Sequence, residues 1–386
     1  MPLAGLDLIF HVTDTDLVSL IHPVREIQRK FQIAGLICCG EVFVEAAGVL
    51  SESLCLPGPG SHAARVARNK ALQRLSVPSL SPTWHLIGTD RDTTSASGIA
   101  FPAILKPTGR MSSSGVYEVS SQEQLRDLIE SYRPDEELLL ESRVRGQEYS
   151  IESVVVAGVI RWVGVTAKDT NESSTSYFTE VGHTSPAHEL DSRDIETLLA
   201  ANELLLEQIK LCTGISHAEF RMTPSGPVLM EVAARPPGDA ISKLWLLATG
   251  ISFEATMVAL ALGLEPETRH SVRRARQVFL DQPTGVLQSV TCEADVPVTW
   301  IHESHIWPEF EPAAPDAPAR LCAVIVGKRP GDRVGPVRDS SERCVSIVVD
   351  CALDEDIAAI TENLASYVQT TYTDTSDVRK LTEVPS

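Results

Sequence analysis

The spacing of apolar positions changes period along this chain, and each change marks an element. Residues 3–12 (Leu-Ala-Gly-Leu-Asp-Leu-Ile-Phe-His-Val) read as a short buried strand. Asp14 or Thr15 is placed to cap a helix running towards Phe31, Ile33–Cys39 reads as a second strand, and Val42–Leu50 as a helix. The turn-rich Leu56-Pro-Gly-Pro-Gly-Ser-His-Ala63 leads into a helix from Ala63 to Leu75, ended before Pro78. This alternation predicts a small α/β layer. Ser79–Ser97 is polar and irregular. Strands are then expected at Phe101–Lys106, Val116–Val119, Leu138–Glu141, Glu148–Val156 and Ile160–Val165. Between them, Ser121-Gln-Glu-Gln124 opens a helix with a capping-box pattern. Ser192–Leu211 has the period of a long amphipathic helix, capped by Ser192 or Asp194. Further helices are expected through the 240s and near 252–263, and from about residue 267 the pattern weakens to an α+β tail.

The most informative stretch lies before those last helices. Ile215-Ser-His-Ala-Glu-Phe-Arg-Met-Thr-Pro-Ser-Gly-Pro-Val-Leu-Met-Glu-Val-Ala-Ala-Arg235 reads as two strands joined at Thr223-Pro-Ser-Gly226. If facing residues have numbers that sum to 450, Met222 meets Val228, Phe220 meets Met230 and Ala218 meets Val232 on an apolar face. On the other face Glu219 stands opposite Glu231. Like charges directly opposed on a sheet repel, and a hard divalent cation between the two carboxylates would remove that cost. His217 and Arg235 fall on the same face. Arg235 there would either hold a phosphate or neutralise the glutamates as a salt bridge.

Composition narrows the function classes. The chain has 386 residues, enough for two or three domains. Its net charge of −19 argues against a general nucleic-acid binder or a protein of anionic membrane surfaces. A phosphate-bearing substrate would therefore depend on a few particular Lys and Arg residues. None of the eight cysteines forms Cys-x-x-Cys or a zinc spacing, so they are expected to be reduced, mostly buried thiols of a cytoplasmic protein. Asp7, Asp14 and Asp16 interrupt the first apolar run, which does not read as a signal peptide.

Two loops carry candidate chemistry. Lys106 ends a strand and is followed by Pro107-Thr-Gly-Arg-Met-Ser-Ser-Ser-Gly-Val116, a small-residue loop able to cradle phosphate or to serve as a plain hairpin connection. It is not a Walker A motif. Glu141-Ser-Arg-Val-Arg-Gly-Gln-Glu148 links two strands, either as an ordinary connection or as a backbone segment and a carboxylate with the donors and acceptors to hold a nucleoside. Gly58-Pro-Gly-Ser-His-Ala63 lacks the third glycine of a dinucleotide fingerprint and reads as a turn. His183 sits in a loop-like Glu180-Val-Gly-His-Thr-Ser-Pro186 setting, where a histidine is more often structural or solvated than functional.

In their order, these residues resemble the ATP-grasp superfamily of carboxylate–amine ligases. The matching segments are Asn69-Lys70 before Val77-Pro78, Phe101-Pro-Ala-Ile-Leu-Lys106-Pro, Ser112-Ser-Ser-Gly-Val116, Leu-Leu-Glu141, Gly146-Gln-Glu148, His217-Ala-Glu219-Phe-Arg and Met230-Glu231-Val-Ala-Ala-Arg235-Pro-Pro-Gly238-Asp. The last two, with Glu180-Val-Gly-His183, look most like the L-amino acid ligase branch, as does Ala233 where many superfamily members carry asparagine. The likeness runs from about residue 33 to 265.

The resemblance implies an ATP-grasp fold of α/β and α+β parts. Those parts are a shortened N-terminal α/β domain over 1–66, a small lid subdomain over 67–145, a central catalytic part over 146–265 and a C-terminal α+β subdomain over 266–386. It implies ATP with Mg²⁺, or Mn²⁺ in its place. Lys70 and Lys106 would hold the phosphates, Ser113, Ser114 and Gly115 would lie on the loop closing over them, and Glu141, Ser142 and Val144 would belong to the hinge at adenine. Glu148 would bind the ribose, Glu219 and Glu231 the metal, Arg235 the transferred phosphate, and His183 would lie near the acyl or amine substrate. Partners would be small carboxylate and amino acid substrates, with no nucleic acid and no membrane. A homodimer is the form that relatives often take. The implied reaction is amide formation through an acyl phosphate. A carrier-bound or non-amino-acid substrate, or nucleotide binding without catalysis, stays open at this point.

Overall fold

The computed structural model describes residues 8–93, 98–175, 177–304 and 307–374. Helix α1 (Leu17–Gln28) begins where the Asp16 carboxylate accepts the Ser19 N–H, so Asp16 is the cap rather than Asp14 or Thr15. Among the described residues, neither strand expected before residue 40 forms. Residues 8–12 and 33–39 join no ladder, because no neighbouring strand offers them N–H and C=O partners, and residues 3–7 lie outside the described residues. Helices α2 (Val44–Ser53), α3 (Ser61–Ala67) and α4 (Lys70–Ser76) follow. The single helix read from Ala63 to Leu75 is thus split. Asn69 leaves helical geometry with φ −137° and ψ 112°, and its side chain caps α4 by accepting the Leu72 N–H. The break puts Lys70 at a helix start, where its N–H donates to the Thr108 carbonyl at 3.0 Å.

A four-stranded antiparallel sheet holds β1 (Trp84–Ile87), β2 (Ala103–Pro107), β3 (Tyr117–Val119) and β4 (Leu138–Ser142), in the order β1-β4-β2-β3. Strand β1 lies within the segment read as irregular. Its four residues are too few to establish a period, and it gains order from pairing with β4. Leu105 and Leu140 face each other and pack with Ile87, Val119 and two residues, Leu125 and Ile129, of helix α5 (Gln122–Ile129). Ile104 is opposite Glu141, so Lys106 and Glu141 share the face away from that core.

The large sheet is built around β5 (Gln147–Val156), β6 (Val159–Thr170), β7 (Glu180–Ser185), β8 (Gly214–Thr223) and β9 (Gly226–Ala233). Strand β7 corrects the loop reading around His183. Its Gly/Ser/Thr-rich sequence has low strand propensity, but β6 on one side and β10 (Arg273–Phe279) on the other hold it in register. One face of the sheet is apolar. Tyr149, Ile151, Ala218, Phe220, Leu229 and Val232 pack there with Leu198, Leu205 and Leu206 of helix α6 (Ser192–Gln208), whose cap is Asp191 rather than Ser192 or Asp194. The other face carries Glu148, Ser150, Glu152, Thr166, Lys168, His183, His217, Glu219 and Arg221, related by cross-strand register.

The 450 register holds for His217–Ala233, Ala218–Val232 and Glu219–Glu231, then breaks. Phe220 pairs with Leu229 and Arg221 with Val228, because an irregularity between Glu219 and Phe220 adds one residue on β9. Met230 is therefore not opposite Phe220 in the apolar face. It lines the polar-face pocket, and Leu229 takes the core position.

Helix α7 (Ile241–Thr249) and helix α8 (Phe253–Ala261) follow, with the Trp245 indole buried against the sheet. The weakly patterned tail is more ordered than its period indicated. It contains β10, β11 (Gly285–Cys292), β12 (Val298–Trp300), the short α9 (Ile301–Ser304), β13 (Arg320–Val326), β14 (Arg333–Val334), β15 (Val345–Ala352), α10 (Ile357–Ala365) and β16 (Val368–Thr373). β12, β13, β15 and β10 extend the large sheet to nine strands, in the order β12-β13-β15-β10-β7-β6-β5-β8-β9. β14, β11 and β16 form a third sheet. Buried on both faces, β15 (Val-Ser-Ile-Val-Val-Asp-Cys-Ala) lacks the alternation of a half-buried strand, which hid it.

All eight cysteines are free thiols. Only Cys344 and Cys351 are buried, whereas Cys39, Cys55 and Cys212 are exposed, against the expectation of mostly buried thiols. Among the described residues no single helix is long and apolar enough to cross a membrane, though the bent pair α7 and α8 passes that test on length and composition together.

Candidate active site

A pocket of about 250 Å³ opens between the outer face of the four-stranded sheet and the polar face of the nine-stranded one. Lys70, Lys106, Ser113 and Ser114 line it from the first side, with Glu141, Ser142 and Val144. Glu148, His183, Glu219, Glu231 and Arg235 line it from the second. Gly115 does not reach the lining. Its φ of +72° and the closeness of Arg110 and Tyr132 to any Cβ there explain a glycine at that turn.

The cations arrive from separate elements and each meets a carboxylate. Lys106 donates to Glu141 at 2.6 Å, and Arg74 binds the same carboxylate from α4. Burial alone would raise the Glu141 pKa, but Arg74 and Lys106 bring it down to about 2. The Glu141 side chain therefore fixes Lys106, and Ser142 to Val144 supply the backbone beyond it. The Val144 carbonyl accepts from Arg221 at 2.9 Å. Lys70 Nζ reaches the Glu231 carboxylate at 2.9 Å and the Arg110 carbonyl at 2.6 Å, tying α4 to β9 and to the small-residue loop. Ser113 Oγ donates to the Phe178 carbonyl at 3.0 Å.

At the centre lies Lys168, which the sequence reading passed over. Its ammonium is 3.0 Å from Glu180 and 3.7 Å from Glu148, and it also pairs with Glu219. The side chain is 1% exposed, so this is a buried four-charge cluster. The oxygens of Glu148, Glu180 and Glu219 lie within 4.8 Å of one another, a hard-oxygen set that fits a divalent cation. Glu219 directly faces Glu231 in the register, which gives two carboxylates at the mouth of that set. Burial raises the Glu148 pKa in spite of Lys168 and Arg221. Arg221 binds Glu148 at 3.0 Å, so Glu148 is already oriented towards the pocket.

Beneath Glu219, His217 donates from both ring nitrogens, Nδ1 to Glu152 at 2.8 Å and Nε2 to Glu219 at 3.1 Å. Burial opposes its protonation, yet hydrogen bonds to Glu152 and Glu219 raise its pKa to about 9. Glu152 is wholly buried and also accepts from Ser150, Thr166 and Trp245 Nε1. Arg235 leaves the end of β9 and pairs with Glu41, which also binds Arg68 at 2.5 Å. The alternatives read for Arg235 resolve in part: its ion-pair partner is Glu41 from the N-terminal region, not the facing glutamates. Glu41, Arg74, Glu152 and Lys168 gave no local signal, because each stands alone in its segment and gains meaning only from register or crossover.

Comparison with known proteins fits this geometry. Residues 99–243 match the family model of the ATP-grasp domain. That segment is similar to the ATP-grasp domain, and the fold of the chain is the ATP-grasp fold. It superposes on the L-amino acid ligase from Bacillus licheniformis with a TM-score of 0.71 and 19% identity, covering 93% of this chain and 86% of that one. A phosphoribosylglycinamide synthetase from Anaerococcus prevotii gives 0.66 at 12% identity, covering 95% and 89%. Among curated proteins, the uncharacterised protein y4rH of Sinorhizobium fredii is 27% identical over 263 residues, 65% of this chain and 54% of that protein. A D-alanine–D-alanine ligase of Mycobacterium avium is 28% identical over 185 residues, 42% and 49% of the two chains. The chain spans about half the length of these curated relatives.

Proposed function

We propose that the protein is an ATP-dependent carboxylate–amine ligase that joins a carboxylate, activated as its acyl phosphate, to the amine of an amino acid, releasing ADP and phosphate. The observation that carries this reading is the meeting of Lys70, Lys106 and Arg235 with the facing glutamates in one pocket. Such an arrangement has what phosphoryl transfer asks of a protein, positioning and charge neutralisation.

Lys70 and Lys106 would bind phosphate oxygens, and Ser113 and Ser114 would add hydroxyl donors from the loop above. Ser142 to Val144 would meet the adenine and Glu148 the ribose hydroxyls. Glu219 and Glu231, with Glu148 or Glu180 beside them, would hold Mg²⁺ or Mn²⁺. When bound, the ion neutralises charge on the phosphates. Arg235 would orient the transferred phosphoryl group against the attacking carboxylate. Closure of residues 109–115 would keep water from the acyl phosphate. Dipeptide formation, as in the biosynthesis of a dipeptide or antibiotic, is the form of the reaction favoured by the likeness to an L-amino acid ligase.

Incubation with Mg²⁺-ATP and pooled L-amino acids, read by product mass, tests the proposal. ADP, phosphate and a new amide are expected. AMP with pyrophosphate would overturn it, and ATP binding with no turnover of any pool would leave a nucleotide-binding relative.

A further inference from the structure

The amine that attacks an acyl phosphate must first lose a proton, and the pocket lining includes a histidine with an unpaired ring nitrogen. His183 is 1% exposed and lines the pocket. Its Nε2 lies 3.0 Å from Asp239 Oδ2. A carboxylate only accepts, so Nε2 carries the proton and Nδ1 the lone pair. Nδ1 is buried and has no hydrogen-bond partner. A buried nitrogen left unpaired is costly in a folded protein, and such an atom at a site asks for a ligand. Register places Lys168 and Gln277 on the strands either side of His183, and the Glu180 carboxylate lies three residues away on its own strand.

Asp239 is itself held. Its φ of +50° is a left-handed backbone that aspartate and asparagine tolerate better than most residues. Arg343, carried by the tail of the chain just before β15, grips it with two hydrogen bonds of 2.9 and 2.7 Å. Arg343 also donates to the Glu180 carbonyl at 3.1 Å and lies over the Phe279 ring, 3.9 Å from its centroid. The Asp239 carboxyl is kept ionised: against burial, which would raise its pKa, His183 and Arg343 lower it.

We infer that His183 Nδ1 is the general base of the second half-reaction, and that Asp239 and Arg343 are the positioning residues that fix its tautomer. The inference rests on the ligase reading above. The substrate ammonium gives one proton to Nδ1, and its freed lone pair forms the C–N bond at the acyl carbon. The C–O bond to phosphate breaks and its electron pair leaves on the phosphate. The surplus proton on nitrogen passes to the departing phosphate, and the imidazolium returns its proton to solvent. Asp239 plays the part that a buried carboxylate plays beside the histidine of a hydrolase triad, in that it holds the ring and stabilises the charge without taking the proton.

Asp239→Asn tests this in the full chain, since asparagine keeps the left-handed backbone but no longer requires Nε2–H. The assay uses Mg²⁺-ATP and pooled L-amino acids, with and without hydroxylamine, a nucleophile that is unprotonated at neutral pH and captures acyl phosphates as hydroxamates. The variant should lose about 10²-fold in amide formation at neutral pH, while its hydroxamate yield stays within about two-fold of wild type. The amide deficit should shrink as pH rises and the amine loses its proton unaided. His183→Gln should behave the same way, which covers the case in which the first variant fails to fold. An equal fall in amide and hydroxamate, or an amide deficit that ignores pH, would overturn the inference while leaving the ligase reading intact. A wild-type protein that forms neither product would overturn the ligase reading, and the inference with it.

Discussion

The Lys168 ammonium pairs with Glu219 while lying 3.0 Å from Glu180, so one lysine holds together the carboxylates best suited to a metal. Lysine and a divalent cation would neutralise the same oxygens. Lys168→Met should leave Glu180 without its ammonium partner, and Glu148 and Glu219 with only Arg221 and His217, destabilising the metal-free protein by about 3–5 kcal/mol. Added Mg²⁺ should then raise the melting temperature of the variant more than that of wild type. A variant whose melting ignores Mg²⁺ would remove this cluster from the metal site.

Glu231 combines a Lys70 ion pair with its place opposite Glu219. Glu231→Gln keeps the shape but halves the charge of the facing pair. Phosphate release should fall by about 10²-fold or more, with the far-UV spectrum and melting temperature near wild type. Unchanged turnover would place the metal elsewhere.

Glu141 ties acid stability to Lys106 and Arg74. Its pKa in the folded protein is about 2, below its ordinary 4.5, so its contribution to stability is complete above pH 4.5. That contribution is lost as pH falls from there towards 2. Glu141→Gln should flatten this part of the acid-unfolding curve. It should also cost about 3–5 kcal/mol at neutral pH, because Arg74 and Lys106 lose their buried partner. Denaturant melts across this pH range measure both effects, and parallel wild-type and variant curves would contradict the assignment.

Glu41 is 8% exposed and bridges Arg68 and Arg235. Glu41→Gln removes the charge that aims Arg235 into the pocket. The expected result is a loss of turnover of up to about 10²-fold, with ATP binding by titration nearly unchanged. A variant that loses ATP affinity instead would make Glu41 a part of the nucleotide site.

Phe220 is fully buried between β8 and the α6 layer, beneath the site but facing away from it. Phe220→Ala should destabilise by about 3–5 kcal/mol, measured by denaturant unfolding. Its residual folded fraction should keep the wild-type response to Mg²⁺.

Local chemistry made much of this legible from residues alone. A Thr-Pro-Ser-Gly turn between two alternating runs specified a hairpin, and period two then required Glu219 and Glu231 to face each other. Lys106 ended its strand where a run of serines and a glycine followed. What one residue type states about its own few neighbours could be read directly.

The remainder needed the tertiary structure, because its determinants lie far apart in sequence. An irregularity on β9 turned Met230 into the pocket, which no alternation pattern announces. Ladder partners on both sides made β7 a strand despite its composition. The apolar stretches before residue 40, without a ladder to join, formed no strand among the described residues. Lys168, Glu152 and Arg343 acquired roles through cross-strand register and through a tail that returns to the central sheet. Sequence determined which charged groups the chain carries and which lie on one face of a hairpin, whereas the pairing of distant strands decided which of them meet. Hydrogen bonds and close ion pairs need their partners within about 3–4 Å, a distance that chain order alone does not specify.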